Sequence, residues 1–184
     1  YFEVIVDFGF NLSATREVAL NANNPNQLDK IISAVFSIKF ILLVISFLIL
    51  LIVLSIFDQF TDDSLLYYYS FLKVIAFAFF PVWFFQGIEK MKHITIINIV
   101  SKTLFTVCIF IFIKEESDYL LVPLINGFGF MIGSVLALYY VFIYFKHTFV
   151  VNTFVVIKHY FKESAMFFLS RVSVSLYTSS NTFI

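Results

Sequence analysis

Long apolar stretches broken by short polar segments set the rhythm of this chain. Four stretches, 34–57, 65–85, 94–113 and 120–145, reach the roughly 20 residues a helix needs to cross a hydrocarbon layer about 30 Å thick. Two shorter ones, 1–15 and 165–184, flank them as partial spans. The runs are too long and too continuously apolar for the alternating strands of a β-barrel, so helices are expected. Between the last two spans, Val150, Phe154, Ile157 and Phe161 recur at helical spacing, with Asn152, Lys158, His159 and Lys162 mostly elsewhere around the turn. That segment, 148–163, reads as an amphipathic helix lying along the membrane surface. Pro81 falls inside the second complete span and should kink or break it. Gly129 and Gly133, with Asn126 and Gly127 just before them, form a small-residue pattern that fits close packing inside the bundle.

Charge turns these spans into a topology. The breaks alternate: Arg16, Lys30, Lys90, Lys92, Lys146, Lys158 and Lys162 fall on one side, against Lys114 alone on the other. Such asymmetry places the basic segments 16–33, 86–93 and 146–163 in the cytoplasm. The first span then runs inward, and directions alternate from there. At 61% apolar and 21% aromatic residues, with a mean hydropathy of +0.96, the chain does not suit a soluble domain. A formal net charge of zero argues against nucleic acid as the main partner. The single cysteine, Cys108, provides neither a disulfide nor a Cys-based metal site, and no cofactor is expected. Glu3 and Asp7 stand where a secretory leader would be basic, so residues 1–15 read as a span. Because both ends lie within apolar stretches, the chain is expected to be an internal piece of a larger membrane machine.

Candidate functional residues are the ionisable groups inside the spans: Asp7, Lys39, Lys73, Lys102 and Arg171. Each costs about 2.5–3.5 kcal/mol at mid-bilayer on insertion scales, so such groups normally face an interior or a hydrated cavity. Lys102 and Asp7 lie about 12 Å deep from the basic side, at 1.5 Å per residue, and Arg171 about 10 Å. Lys73 lies at similar depth from the other side. Thr95, Asn98, Lys102 and Thr106 share one helical face, as do Arg171, Ser175, Thr178 and Thr182. Asp7 and Asn11, four apart, suggest a third polar wall. Competing expectations stand beside these. Lys39 can snorkel to the interface, Asp7 can pair with Lys102 or Arg171, and Ser or Thr hydroxyls can bond back to their own helix. His93, His147 and His159 are expected to be solvated on the basic side. Asp58, Asp62 and Asp63 suggest a divalent-metal site of a membrane glycosyltransferase or polymerase, but acidic outer turns follow from topology alone and no His completes a shell.

Three runs carry a resemblance: DFGFNLSATREVA from Asp7 to Ala19, FPVWFFQGIEKMK from Phe80 to Lys92, and SLYTSSNTFI from Ser175 to Ile184. Together they resemble bacterial polysaccharide repeat-unit flippases of the multidrug and oligosaccharidyl-lipid exporter superfamily. The resemblance implies an all-α polytopic bundle, a fragment of a two-lobe MATE-like transporter. Residues 1–147 would form most of one lobe (family spans two to six), 148–163 the linker and 164–184 the first span of the second lobe. It implies a carrier, not an enzyme, in the bacterial inner membrane. That carrier would move undecaprenyl-diphosphate-linked oligosaccharides for O-antigen or capsule synthesis to the outer leaflet by alternating access, beside other polysaccharide assembly proteins. An ion-coupled multidrug exporter of the same superfamily is the alternative. From the residues, Lys102 and Arg171 would attract the diphosphate, with Lys73 an outward station and Asp7, Asn11 and Asn98 polar contacts. Tyr67 to Tyr69, Trp83 and Tyr177 would meet sugars.

Overall fold

Asn24 and Pro25 start the longest helix. Asn24 accepts a hydrogen bond from the Gln27 amide at 3.3 Å, and Pro25 takes the first helical position, where no N–H is needed. The computed structural model describes residues 1–57 and 64–180, with backbone alone at 116, 117, 171 and 175–180. Its helices are α1 (Phe2–Asp7), α2 (Phe10–Leu20), α3 (Pro25–Ile56), α4 (Ser64–Phe79), α5 (Val82–Gly87), α6 (Met91–Phe112), α7 (Leu121–Tyr139) and α8 (Phe154–Ser180). A 3-10 turn, Glu116–Leu120, leads into α7, and a π-helical turn, Tyr140–Tyr144, ends it. Four helical segments are long and apolar enough to cross a membrane: Pro25–Ile56, Ser64–Gly87, Met91–Phe112 and Asp118–Tyr144. The chain is an all-α, multi-pass membrane protein.

The expected break at proline is present. Pro81 cannot donate, so α4 stops at Phe79 and α5 restarts at Val82. Boundaries differ at the polar ends. α3 begins nine residues before the apolar stretch does, because Asn24–Pro25 is a strong start signal, and its 32 residues exceed what a bilayer needs. The polar segment 16–33 is therefore mostly helical, with a turn of only 21–24. Likewise α8 runs from Phe154 to Ser180 across the boundary between the amphipathic segment and the last span. No Gly or Pro interrupts it there.

Lipid removes most of the hydrophobic drive between helices, so packing decides where they meet. α7 lies between α4 and α6. Gly127 abuts Leu72 of α4 and Gly133 abuts Ser101 of α6, leaving no room for a β-carbon, and Gly129 lies close against Ser101 and Phe105. The Ser134 hydroxyl donates to the Ala76 carbonyl at 2.6 Å, tying α7 to α4. The small-residue pattern thus serves internal packing, as expected. At the basic end, Phe10, Ile31, Ile32, Phe36, Trp83, Phe84 and Phe85 form a large aromatic-rich core shared by α2, α3 and α5. A smaller cluster of Val6, Leu43, Phe71 and Val74 joins α1, α3 and α4 towards the opposite end.

Candidate functional site: charges at a broken helix

The first span is two helices. Phe8 and Gly9 both adopt left-handed backbone, with φ of 44° and 78°, so α1 ends at Asp7 and α2 restarts at Phe10. For phenylalanine this conformation is costly. Stacking holds it: the Phe8 ring lies 4.5 Å from Phe161 and 4.7 Å from Phe168, both on α8. Gly9 meets α8 backbone to backbone, since a β-carbon there would sit 2.9 Å from the Ser164 carbonyl and 2.8 Å from the Phe168 nitrogen. One turn on, the Ser13 and Ser164 hydroxyls are 2.7 Å apart. The break also corrects an expectation. Asp7 and Asn11 do not share one helical face, because the helix between them is interrupted. Asn11 sits in the first turn of α2, where its carbonyl accepts from Thr15.

Breaking the span directs Asp7 at α3. Its carboxylate lies 3.9 Å from Lys39 Nζ, with 3% and 2% of the two side chains exposed. The ammonium also stands 5.5 Å over the Phe77 ring. Lys39 therefore does not snorkel, and the expected pairing of Asp7 with Lys102 does not form; the Arg171 side chain lies outside the described residues. Packing keeps Lys102 away: α1 lies against α3, α4 and α8, whereas α6, which carries Lys102, packs on α7 and α5.

A second ion pair lies one turn earlier on α1. Glu3 reaches Lys73 of α4 at 3.1 Å, and both side chains are more than a third exposed. Lys73 also stands 5.2 Å over the Phe130 ring of α7. Beside it opens a cavity of about 410 Å³ between α4 and α7, lined by Leu66, Ser70, Lys73, Tyr119, Val122, Pro123 and Asn126. The Asn126 amide oxygen is buried with no hydrogen-bond partner among the described residues. An unmet acceptor of that kind costs about 1–3 kcal/mol.

Of the other predicted residues, Lys102 and Asn98 are not gathered at these pairs. Lys102 is exposed on α6, with no carboxylate partner among the described residues, and Asn98 is half-buried one turn away. Thr95 and Thr106 on the same stripe donate to the carbonyls of Met91 and Lys102, which takes up their donors and leaves only the hydroxyl oxygens to accept. Arg171 belongs to α8, but its side chain and those of Ser175, Tyr177 and Thr178 lie outside the described residues, as do Thr182, Asp58, Asp62 and Asp63. Among the described residues no group of three His, Cys, Asp or Glu side chains stands together as a metal site.

Two further expectations fail. Trp83 is fully buried, edge-on to Phe36 and Phe84, so it supports the core and meets no sugar. His147 is not solvated: its Nδ1 lies 2.7 Å from Asp29, which also accepts from the Thr148 amide and hydroxyl. With Val150 donating to Ser33 and Asn152 to the Lys30 carbonyl, residues 147–152 are strapped along the first turns of α3. Asp29 gave no sequence signal beyond being an acid in the polar segment 16–33. Sequence reasoning also passed over a cleft of about 230 Å³ between α2 and α8, lined by Ser13, Arg16, Glu17, Glu163, Met166 and Phe167. Burial raises the neighbouring Tyr160 hydroxyl above its usual range, and Glu17 and Glu163 add to the rise.

Helix breaks, one buried ion pair and a cavity with a polar wall in one bundle define a membrane protein that keeps polar groups among its spans. All 184 residues match the polysaccharide biosynthesis protein family, and the chain belongs to it. It is 28% identical over 138 residues to a putative O-antigen transporter of Escherichia coli K12, covering 75% of this chain and 33% of that protein. It is 28% identical over 183 residues to a putative O-antigen transporter of Shigella dysenteriae, covering 98% of this chain and 45% of that protein. The chain thus spans less than half the length of either relative. No solved structure matches it significantly.

Proposed function

We propose that this chain is part of a flippase that moves undecaprenyl-diphosphate-linked oligosaccharide repeat units across the bacterial inner membrane by alternating access. It acts as a carrier and not as an enzyme, with the basic end of the bundle in the cytoplasm. Family membership and the names of the two relatives support polysaccharide transport. The observation that carries the choice of substrate is charge. Glu3 and Asp7 are each matched by a lysine, while Lys102 has no carboxylate partner among the described residues. A carrier with surplus positive charge suits a diphosphate. A cation exporter needs an unmatched carboxylate, and the Lys39 ammonium compensates Asp7.

In this reading Lys102 attracts the diphosphate as a point charge, and Arg171 contacts phosphate oxygens in bidentate fashion. Asn98 joins Lys102 on the exposed face of α6. The helix breaks at Phe8–Gly9 and Phe80–Pro81 are the bending points.

The test is complementation of a strain lacking its O-antigen transporter. The intact gene should restore surface polysaccharide and leave drug sensitivity unchanged. Lys102→Ala and Arg171→Ala should each lower restoration about tenfold or more, as loss of a charged phosphate contact requires. Full restoration by both variants rejects the cationic site. Altered drug sensitivity without restored polysaccharide favours the exporter.

A further inference from the structure

The cavity between α4 and α7 has a polar wall that, among the described residues, carries almost no net charge. Lys73 is the cation on that wall, and Glu3 neutralises it at 3.1 Å while the Phe130 ring lies beneath the ammonium. An anionic headgroup would have to compete with a carboxylate already in contact. What the wall offers a ligand is of another kind. Ser70 supplies a hydroxyl, and Asn126 an amide whose buried oxygen has no hydrogen-bond partner among the described residues. Leu66, Val122 and Pro123 supply apolar lining, and Tyr119 adds an aromatic ring. Neutral hydrogen-bonding groups beside apolar carbon suit a polyhydroxylated ring, which carries donors at its edge and C–H groups on its faces. At about 410 Å³ the cavity lies in the lower part of the roughly 300–1,000 Å³ range of small-molecule sites. That room suits one or two sugar rings and not a long glycan.

We propose that Ser70, Asn126 and Tyr119 form a neutral-sugar subsite at the end of the bundle opposite the basic one. The Asn126 amide is the hydrogen-bonding group offered to a sugar hydroxyl. The Glu3–Lys73 pair positions the wall and does not serve as an anion station. This rests on the reading of the protein as a glycan carrier and revises the role of Lys73 within it. Diphosphate and sugar are thereby handled at different places: the anion at exposed Lys102 and at Arg171, the glycan between α4 and α7.

Site-directed labelling tests the subsite without requiring transport. Ser70→Cys is placed in a Cys108→Ser background and labelled with a membrane-impermeant maleimide in intact cells. Maltose, lactose and chitobiose serve as neutral probes and inorganic pyrophosphate as the anionic probe. At least one disaccharide should slow labelling in a saturable manner, and pyrophosphate should not. Adding Asn126→Leu should weaken that protection about fivefold, the loss expected for one neutral hydrogen bond. Protection by pyrophosphate alone, or by none of the probes, overturns the subsite. So does protection unaltered by Asn126→Leu when the variant reaches the membrane at the usual level. Failed complementation with intact sugar protection would instead count against the flippase reading and leave the subsite standing.

Discussion

Glu3 and Asp7 stand one turn apart on α1, and each meets a lysine, but the two pairs are physically unlike. Asp7–Lys39 is sealed between α1 and α3, with 3% and 2% of the side chains exposed and 3.9 Å between the charges. Glu3–Lys73 is shorter, at 3.1 Å, yet 38% and 39% exposed at the wall of an open cavity. Distance alone would rank the open pair stronger. Burial reverses the ranking of consequences, because removing one partner of a sealed pair strands a charge with little solvent to receive it. The sealed pair sets where the broken helix sits, and the open pair tunes a surface.

The largest expected effect follows from that contrast. Lys39→Met should destabilise the bundle by about 3–5 kcal/mol, as loss of one partner of a buried pair does, measured by thermal unfolding in detergent. Asp7→Asn combined with Lys39→Met should recover much of the loss, since both charges are then gone. If the double variant is no better than Lys39→Met alone, the pair is not the source of the effect and the contrast fails.

Gly9 gives the next test, because the break it permits is what separates Asp7 from α2. Gly9→Ala meets two obstacles: a φ of 78° and a β-carbon 2.8–2.9 Å from the α8 backbone and Phe167. A cost of about 1–3 kcal/mol is expected, with α8 displaced outward. The Ser13 and Ser164 hydroxyls at 2.7 Å report on that displacement. Cysteines at those two positions, in a Cys108→Ser background, should cross-link readily with Gly9 present and slowly with Gly9→Ala. Equal cross-linking would mean that α8 is not held by this contact.

Much of the fold was legible because hydropathy and breakers act locally. The complete spans, the interruption at Pro81 and the packing role of Gly129 and Gly133 follow from residues near one another in sequence. The break at Phe8–Gly9 had a weaker local signal, one glycine in an apolar run, and its cause is tertiary: α8 stacking on Phe8. Partner choice was not legible. Asp7 lies 32 positions from Lys39, and no periodicity tells which of several intramembrane cations will face it. Trp83 shows the same limit. An aromatic near a span end suits a sugar platform and a core equally well, and only the packing of Phe36 and Phe84 decides. Asp29 lies in a polar segment with nothing local to mark it, and only the distant residues His147 and Thr148 make it a partner.

The smallest expected effect belongs to the open pair, and its smallness is the point. Glu3→Gln removes a partner from Lys73, but the ammonium keeps solvent contact and the Phe130 ring. A surface-type pair contributes about 0–1 kcal/mol, so unfolding should shift by no more than that. The difference should shrink further as salt is raised from low to physiological ionic strength, because exposed pairs are screened and sealed ones are not. Lys39→Met should show no comparable salt dependence. A Glu3→Gln variant as damaged as Lys39→Met, and equally damaged at high salt, would show that the two pairs are equivalent. Burial would then not be what distinguishes the ends of α1.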